Sequence, residues 1–381
     1  MMYDVLVIGS GPSGLAAAAC AAERGLKTAV LERNDIPARK VYATGNGRCN
    51  FSNAAARWSW ETVPWMQGHA GIEPAEEEGR IYPRSFEAAS VAEALVRAAK
   101  RAGAEIVCGA CAISVQKKEQ GFVVECQDGR VFESAKLVLS TGGKAGIQYG
   151  CYGDGYKFAQ SLGHSVIKPI PALDGMVCAE DIKELHGVRV RAKATVIKRP
   201  AEGAAAETAL ASSTGEVQFT KDSISGICVM DLARQLRKEE GSSFVLSLDL
   251  FPEKTAEELK AFLPARRDTF GCGLDWLLPA KLKDYLHSRK AELAATGLRG
   301  PAAMAVLCKD LRFEITGTRG WKSAQTTCGG VPLAEVDKNS FESVKTPGLF
   351  ITGELLDYDG PCGGYNIDWA LHTGIGAGNS I

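Results

Sequence analysis

The stretch that most constrains this chain is VLVIGSGPSGLAAAA, running from Val5 to Ala19. An apolar run, a glycine turn and an alanine-rich segment read as a buried strand, a tight turn and a helix over 12–24 closed by Gly25. Gly9, Gly11 and Gly14 form G-x-G-x-x-G, with Pro12 and Ser13 between them. The first glycine permits the tight turn, the second lets the backbone approach a pyrophosphate, and the third lets helix and strand pack closely. The helix start then offers free N–H groups and partial positive charge to phosphate. A second strand, KTAVLER, brings Glu32 eighteen residues after Gly14 (32 − 14 = 18), where a carboxylate accepts hydrogen bonds from the ribose of an adenosine. An acid there disfavours a 2′-phosphate, which excludes NADP from this turn. The βαβ opening predicts a parallel sheet with helices on its faces.

The chain has 381 residues, 45% of them hydrophobic, enough for two or three domains. A formal net charge of −1 gives no global attraction to nucleic acid or anionic lipid. Asp4 interrupts any signal-like start, and no run reaches the ~20 apolar residues of a membrane span. A soluble, cytoplasmic protein is expected. Its twelve cysteines show no disulfide-scaffold spacing and read as reduced thiols. Cys108 and Cys111 have C-x-x-C spacing, but on an expected strand over 104–115 they would face opposite sides. No metal site is expected.

A helix is expected over 86–103 and strands over 104–115, 121–126 and 131–140. Pro169 and Pro171 then mark a change of texture. The expected organisation is a first part of a nucleotide domain (1–167), an inserted barrel-like β domain (168–251), a helical part of that insert (252–319), and the second part of the nucleotide domain (320–381). Within the insert, 201–215 reads as a low-complexity hairpin loop. Pro252 suits a first helical turn, and Thr255 with Glu258 has capping-box spacing.

The far end of the chain bears on which dinucleotide is held. TPGLFITGELL is a strand that delivers Gly353 and Glu354, and GPCGGYNIDWALHTG is a glycine turn followed by a helix starting near Asn366. A flavin needs its ribityl chain and ring held by elements from elsewhere in the chain. A helix N-terminus aimed at the ring stabilises the negative charge of the reduced form. This favours FAD over a dissociable nicotinamide. There is no second G-x-G-x-x-G, so NAD(P)H, if used, is a transient co-substrate.

The blocks ATGNGRCNFSN (43–53), STGG (140–143), GDGYKFAQSLGH (153–164), TCGGV (327–331) and GELLDYDGPCGGYNIDWALHTG (353–374) resemble the BaiN-like/YhiN-like bacterial flavoproteins, FAD-dependent oxidoreductases of the aminoacetone oxidase-like type. The resemblance implies an α/β fold: a Rossmann-like FAD-binding domain split in sequence, with an inserted β-barrel and a small helical domain. It implies that Gly9–Gly14, Glu32 and Arg33 hold the ADP half. Lys40 and the loop Gly45, Asn46, Gly47, Arg48, Cys49 and Asn50 lie along the pyrophosphate or ring. The backbone near Ala112 meets adenine, and Thr141, Gly142 and Gly143 flank the pyrophosphate. Gly353 and Glu354 reach the ribityl chain, while Gly364, Tyr365 and Asn366 meet the pyrimidine edge. The chain departs from the family pattern at Cys362, usually Thr, and at Asp368, commonly Gln. Cys328 lies near the same expected ring site.

Flavin chemistry leaves the protein to place a substrate and supply a proton. Arg48, Cys49 and Tyr365 are the catalytic candidates, with Tyr152, Asp154 and His372 nearby in the same blocks. Arg48 serves equally well as a structural ion pair, and Cys49 as a buried thiol. Asp357 and Asp359 fit a turn before Gly360. The expected activity is hydride transfer between flavin N5 and a small organic substrate. A second reading stays beside it: Arg189, Arg191 and Lys193 alternate on one strand face, which suits either a solvated barrel surface or an RNA-binding or RNA-modifying flavoprotein.

Overall fold

A computed structural model describes residues 2–199, 206–237, 243–271, 273–293 and 299–381. The chain divides into two units, Met1–Ile170 with Gln325–Ile381, and Pro171–Ala324.

The first unit opens as β1 (Met2–Ile8), α1 (Pro12–Glu23) and β2 (Thr28–Leu31). A small antiparallel sheet follows, made of β3 (Ser52–Asn53), β4 (Pro74–Glu77) and β5 (Arg80–Pro83), with α2 (Ser59–Gly68) between β3 and β4. Then come α3 (Ala88–Ala102), β6 (Glu105–Val107), β7 (Ala112–Lys118), β8 (Gly121–Cys126), β9 (Val131–Leu139), α4 (Asp154–Ser161) and β10 (Ile167–Ala172). The main sheet runs β6-β2-β1-β9-β8-β7. Its β1, β2 and β6 are parallel, and β9 joins β1 in parallel while pairing antiparallel with β8.

The expected strand 104–115 is two strands on opposite edges of this sheet. Gly109, at φ 65°, turns the chain between them, so Cys108 and Cys111 lie in the turn and the alternation argument does not apply to them.

In the second unit, β11 (Met176–Cys178), β12 (Arg189–Lys198), β13 (Thr208–Phe219), β14 (Ser223–Ser225), β15 (Phe244–Asp249) and β16 (Leu311–Thr318) close a barrel ordered β11-β14-β13-β12-β15-β16. Its interior is filled by Ala192, Ala194, Val196, Val217, Phe219 and Phe313, all fully buried. The short α5 (Ile227–Met230) follows β14. Three longer helices, α6 (Ala256–Phe270), α7 (Ala280–Leu293) and α8 (Gly300–Lys309), interrupt the barrel before β16 closes it. The helical part is thus spliced into the barrel rather than following it. Thr255 caps α6 with the reciprocal Glu258 bond that its spacing predicts, and Pro252 lies upstream of the cap rather than in the first turn. The expected loop over 201–215 is corrected in part: from Thr208 onward it is strand, paired with β12 through a register shift between Val196 and Ile197. Its Ala, Ser and Thr face solvent in part, so no apolar alternation marks it. Residues 201–205 lie outside the described residues.

The chain re-enters the first unit as β17 (Thr326–Gly330), which pairs with β10, then β18 (Leu349–Ile351), parallel to the end of β9, and α9 (Tyr365–Ser380). Helix α1 is buried from Ser13 to Ala22, between the sheet and helices α3 and α9. Its alanines allow that, and Gly374 of α9 completes the fit, because a Cβ there would lie 2.2 Å from the Ser13 carbonyl oxygen. Among the described residues no helix is long and apolar enough to cross a membrane.

Candidate functional site

The C-terminal ends of the parallel strands carry the site. At the end of β1, Gly14 and Gly11 differ in what they answer to. A Cβ on Gly14 would come 2.0 Å from the Gly9 oxygen, so the protein itself demands glycine. A Cβ on Gly11 would meet nothing within 4 Å. The open face at Gly11, beside a helix start that no side chain caps, fits a ligand pyrophosphate laid against the turn. Gly142, at φ 70° after β9, leaves the same kind of open space.

Glu32 is buried and already organised by the protein. It accepts from the Ser10 amide at 3.2 Å and from the Ser10 hydroxyl, and its other oxygen accepts from Asn34 N at 2.8 Å and Nδ2 at 2.7 Å. Ser10 and Asn34 were not foreseen. The signal available was their position: Ser10 sits inside the glycine turn and Asn34 just after the expected ribose acid.

Arg33 bridges to Asp154 at 2.8 Å, to the Gly150 carbonyl at 3.2 Å and to Cys111 Sγ at 2.9 Å, and it stacks on Tyr152. Together with Ala112, Ser114 and Phe158, Arg33, Cys111 and Asp154 line a cleft of about 630 Å³. Ala112, expected at adenine, and Arg33, expected along the ADP half, therefore share one opening.

Lys40 pairs with Glu354 at 2.7 Å, and the second Glu354 oxygen accepts from Thr327 N at 2.8 Å. Burial pulls the Lys40 ammonium down, but the Glu354 carboxylate outweighs it and holds Lys40 above its ordinary value. Thr327 Oγ1 in turn accepts from the amides of Lys144 and Ala145, fixing the chain after Thr141–Gly143.

The loop of Gly45, Asn46, Gly47, Arg48, Cys49 and Asn50 winds through left-handed residues, Asn46 at φ 54° and Cys49 at φ 52° among them. Arg48 is spent on the small sheet, 2.7 Å from Glu77 and 4.6 Å from the rings of both Tyr82 and Phe86. Cys49 is fully buried, and burial pushes its thiol up to about 12. It is a protonated, packed sulfur.

Helix α9 starts against β3. Asn53 Nδ2 donates to Gly363 O at 3.0 Å, and Tyr365 Oη reaches Asn53 Oδ1 at 3.3 Å. Asn366 turns its side chain into the preceding loop, accepting from Gly360 N at 2.8 Å and donating to Gly360 O at 3.0 Å. It therefore shapes the turn through its side chain. Gly353 donates its N–H to Thr373 Oγ1 and accepts from Trp369 Nε1, tying the end of β18 to α9. Also unforeseen is an aromatic cluster: Tyr358 stacks on Trp369 at 4.4 Å, and Trp58 stacks on His372 at 4.9 Å. His372 Nδ1 lies 2.5 Å from Glu61. Cys328 is buried and Cys362 half-buried. On the second unit, Arg189, Arg191 and Lys193 share the exposed face of β12, with Arg189 3.4 Å from Glu216.

Comparison with known proteins meets this geometry. The HI0933-like protein Rossmann domain matches residues 3–61 and 55–380. The chain belongs to that family, a family of FAD-dependent flavoprotein oxidoreductases. A 3-dehydro-bile acid delta(4,6)-reductase of Clostridium scindens is 33% identical over 100% of this chain and 99% of its own length. A ribosomal RNA dihydrouridine synthase of Escherichia coli is 26% identical over 97% of this chain and 95% of its own. Among solved structures, the 3-ketosteroid delta1-dehydrogenase of Sterolibacterium denitrificans shares the fold at a TM-score of 0.51 and 14% identity, over 100% of this chain and 99% of that one.

Proposed function

We propose that this protein is an FAD-dependent reductase of carbon–carbon double bonds conjugated to a carbonyl, acting on a small, largely apolar molecule. The observation that carries this reading is the end-to-end 33% identity to a reductase whose named substrate is a 3-keto compound unsaturated at positions 4 and 6. The dihydrouridine synthases point to the same chemistry, since uracil also carries its double bond next to a carbonyl. When bound, FAD supplies the two-electron hydride chemistry. The chain's residues do the rest. The Gly9–Gly14 turn and the start of α1 hold phosphate, Glu32 and the Arg33 cleft take the adenosine end, and Lys40 with Glu354 faces the middle. The backbone at Gly364–Asn366 offers N–H groups where the reduced ring gathers negative charge. A reduced nicotinamide is the expected electron donor.

The test is anaerobic. The purified yellow protein is reduced with NADH or NADPH in separate arms and mixed with a Δ4-3-ketosteroid. Reoxidation of the flavin with formation of the saturated ketone supports the reading. Flavin that reduces yet is reoxidised by none of a panel of enones refutes it.

A second reading, reduction of uridine in ribosomal RNA, is favoured by the dihydrouridine synthase relatives and by the basic stripe on β12. Ribosomal RNA treated with the reduced protein would gain dihydrouridine, and its retention would fall steeply with salt.

A further inference from the structure

Helix α9 carries a carboxyl group where burial alone forbids one. Asp368 is fully buried, one turn into the helix whose first residues, Gly364–Asn366, are the expected ring contacts. Its Oδ1 accepts from Ser52 Oγ at 2.7 Å on β3 and from the Thr62 hydroxyl on α2. Among the described residues its Oδ2 has no hydrogen-bond partner. An amide side chain would accept from the same two hydroxyls without the cost of desolvating an acid. Two hydroxyls on one oxygen explain why the helix end is held against β3. They do not explain why the group is ionisable.

We propose that Asp368 is a positioning residue that couples the flavin's redox state to a proton. It clamps the ring-facing end of α9 to β3 and α2, and its negative charge opposes the charge that reduction places beyond the same helix end. The inference rests on the FAD reading above and goes beyond it. Two like charges in a poorly screened interior disfavour each other. An ionised Asp368 therefore makes reduction harder, and reduction in turn draws a proton onto Asp368. Burial pushes its carboxyl above the ordinary aspartate range, which brings that exchange toward working pH. The groups that face it are few. His372, one turn further along α9, acts against the burial effect and is itself paired with Glu61 of α2. Strand β3 presents only the neutral Ser52 and Asn53.

The experiment measures the flavin midpoint potential against pH in wild type, Asp368→Asn and Ser52→Ala. Asparagine keeps an acceptor for both hydroxyls and removes the charge. Its potential is expected to lie above wild type on the alkaline side by at least a tenfold shift in the reduction equilibrium, about 30 mV for a two-electron couple. The two curves should converge as pH falls and wild type takes up its proton. Ser52→Ala keeps the carboxyl but loses one clamp. It should retain the wild-type bend in the curve while releasing flavin faster. Superimposable curves for wild type and Asp368→Asn overturn the proposal and leave Asp368 a packing residue. Protein that purifies colourless and cannot be reconstituted overturns the FAD reading and this one with it, whereas yellow protein with superimposable curves overturns this one alone.

Discussion

The two glycines of the first turn allow the cofactor's demand to be separated from the fold's. At Gly11 a methyl group enters open space, so Gly11→Ala meets no protein atom within 4 Å. The change removes a favourable helix-start residue, a cost of up to about 1 kcal/mol. In a unit this size that lowers the apoprotein melting temperature by roughly 2–4 °C. The same methyl occupies the space a pyrophosphate would use. Losing the close backbone approach, at about 1.5–3 kcal/mol by the scale of hydrogen bonds to charged groups, weakens FAD binding by roughly ten- to a hundredfold. At Gly14 a methyl would sit 2.0 Å from the Gly9 oxygen, and strand, turn or helix must shift. Overpacking of that kind costs at least about 1–3 kcal/mol before any ligand is considered. The assay pairs flavin stoichiometry, from visible absorbance after dialysis, with thermal unfolding of the stripped protein. Gly11→Ala, and more severely Gly11→Val, should unfold almost as wild type yet carry little flavin. Gly14→Ala should lose both. A Gly11→Val protein that keeps one flavin per chain would show that the turn does not hold the pyrophosphate.

Other expectations follow from groups outside the turn. Lys40→Met leaves the half-buried Glu354 carboxylate without its partner and should cost about 1–3 kcal/mol, most of it recovered in the Lys40→Met/Glu354→Gln double variant; strict additivity in a double-mutant cycle would refute the pairing. Thr255→Ala should remove about 1 kcal/mol by opening the capping box of α6, read as a lower urea midpoint for the second unit, and an unchanged midpoint would count against the cap. Stability should fall in acid in two stages. His164 is buried between Glu335 and Ser343, and burial lowers its pKa, so below about pH 6.5 the unfolded chain takes up a proton that the folded one resists. Burial would raise Glu335, but Lys345, Ser165 and His164 outweigh it and hold it at about 2, so its contribution is present above pH ~4.5 and is lost as pH falls toward that value. A urea midpoint flat from pH 8 to 2 would contradict both, and His164→Gln should remove the upper stage.

The parts of this molecule that could be read in advance are those where a local pattern has one physical cause. The Gly9–Gly14 turn, Glu32 at the end of β2, the Thr255 cap and the glycine turn before α9 each state their geometry within a few residues. What escaped is set by partners distant in the chain. Strands β3, β4 and β5 are two to four residues long, too short for a period, and exist because Ser52 and Ile81 meet. The side chain of Asn366 closes the loop at Gly360, a bond to a residue six positions earlier that no local pattern states. Ser10 and Asn34 reveal their part only once Glu32 stands between them. Cys108 and Cys111 misled because Gly109 was read as part of a strand and not as a turn.

The burial of α1 against α9 has a bearing on how the molecule comes to exist. A helix in which six of twelve residues are alanine has little apolar surface of its own with which to hold its place, and the surface that covers Ser13 and Ala17 arrives with Gly374 and Gly378. During synthesis the dinucleotide turn precedes Gly374 by more than 300 positions, so the face of its helix that α9 covers stays open until that late segment has followed. The second unit, contiguous in sequence, has no such wait. It should form its barrel while the nucleotide half is still an open, protease-sensitive chain.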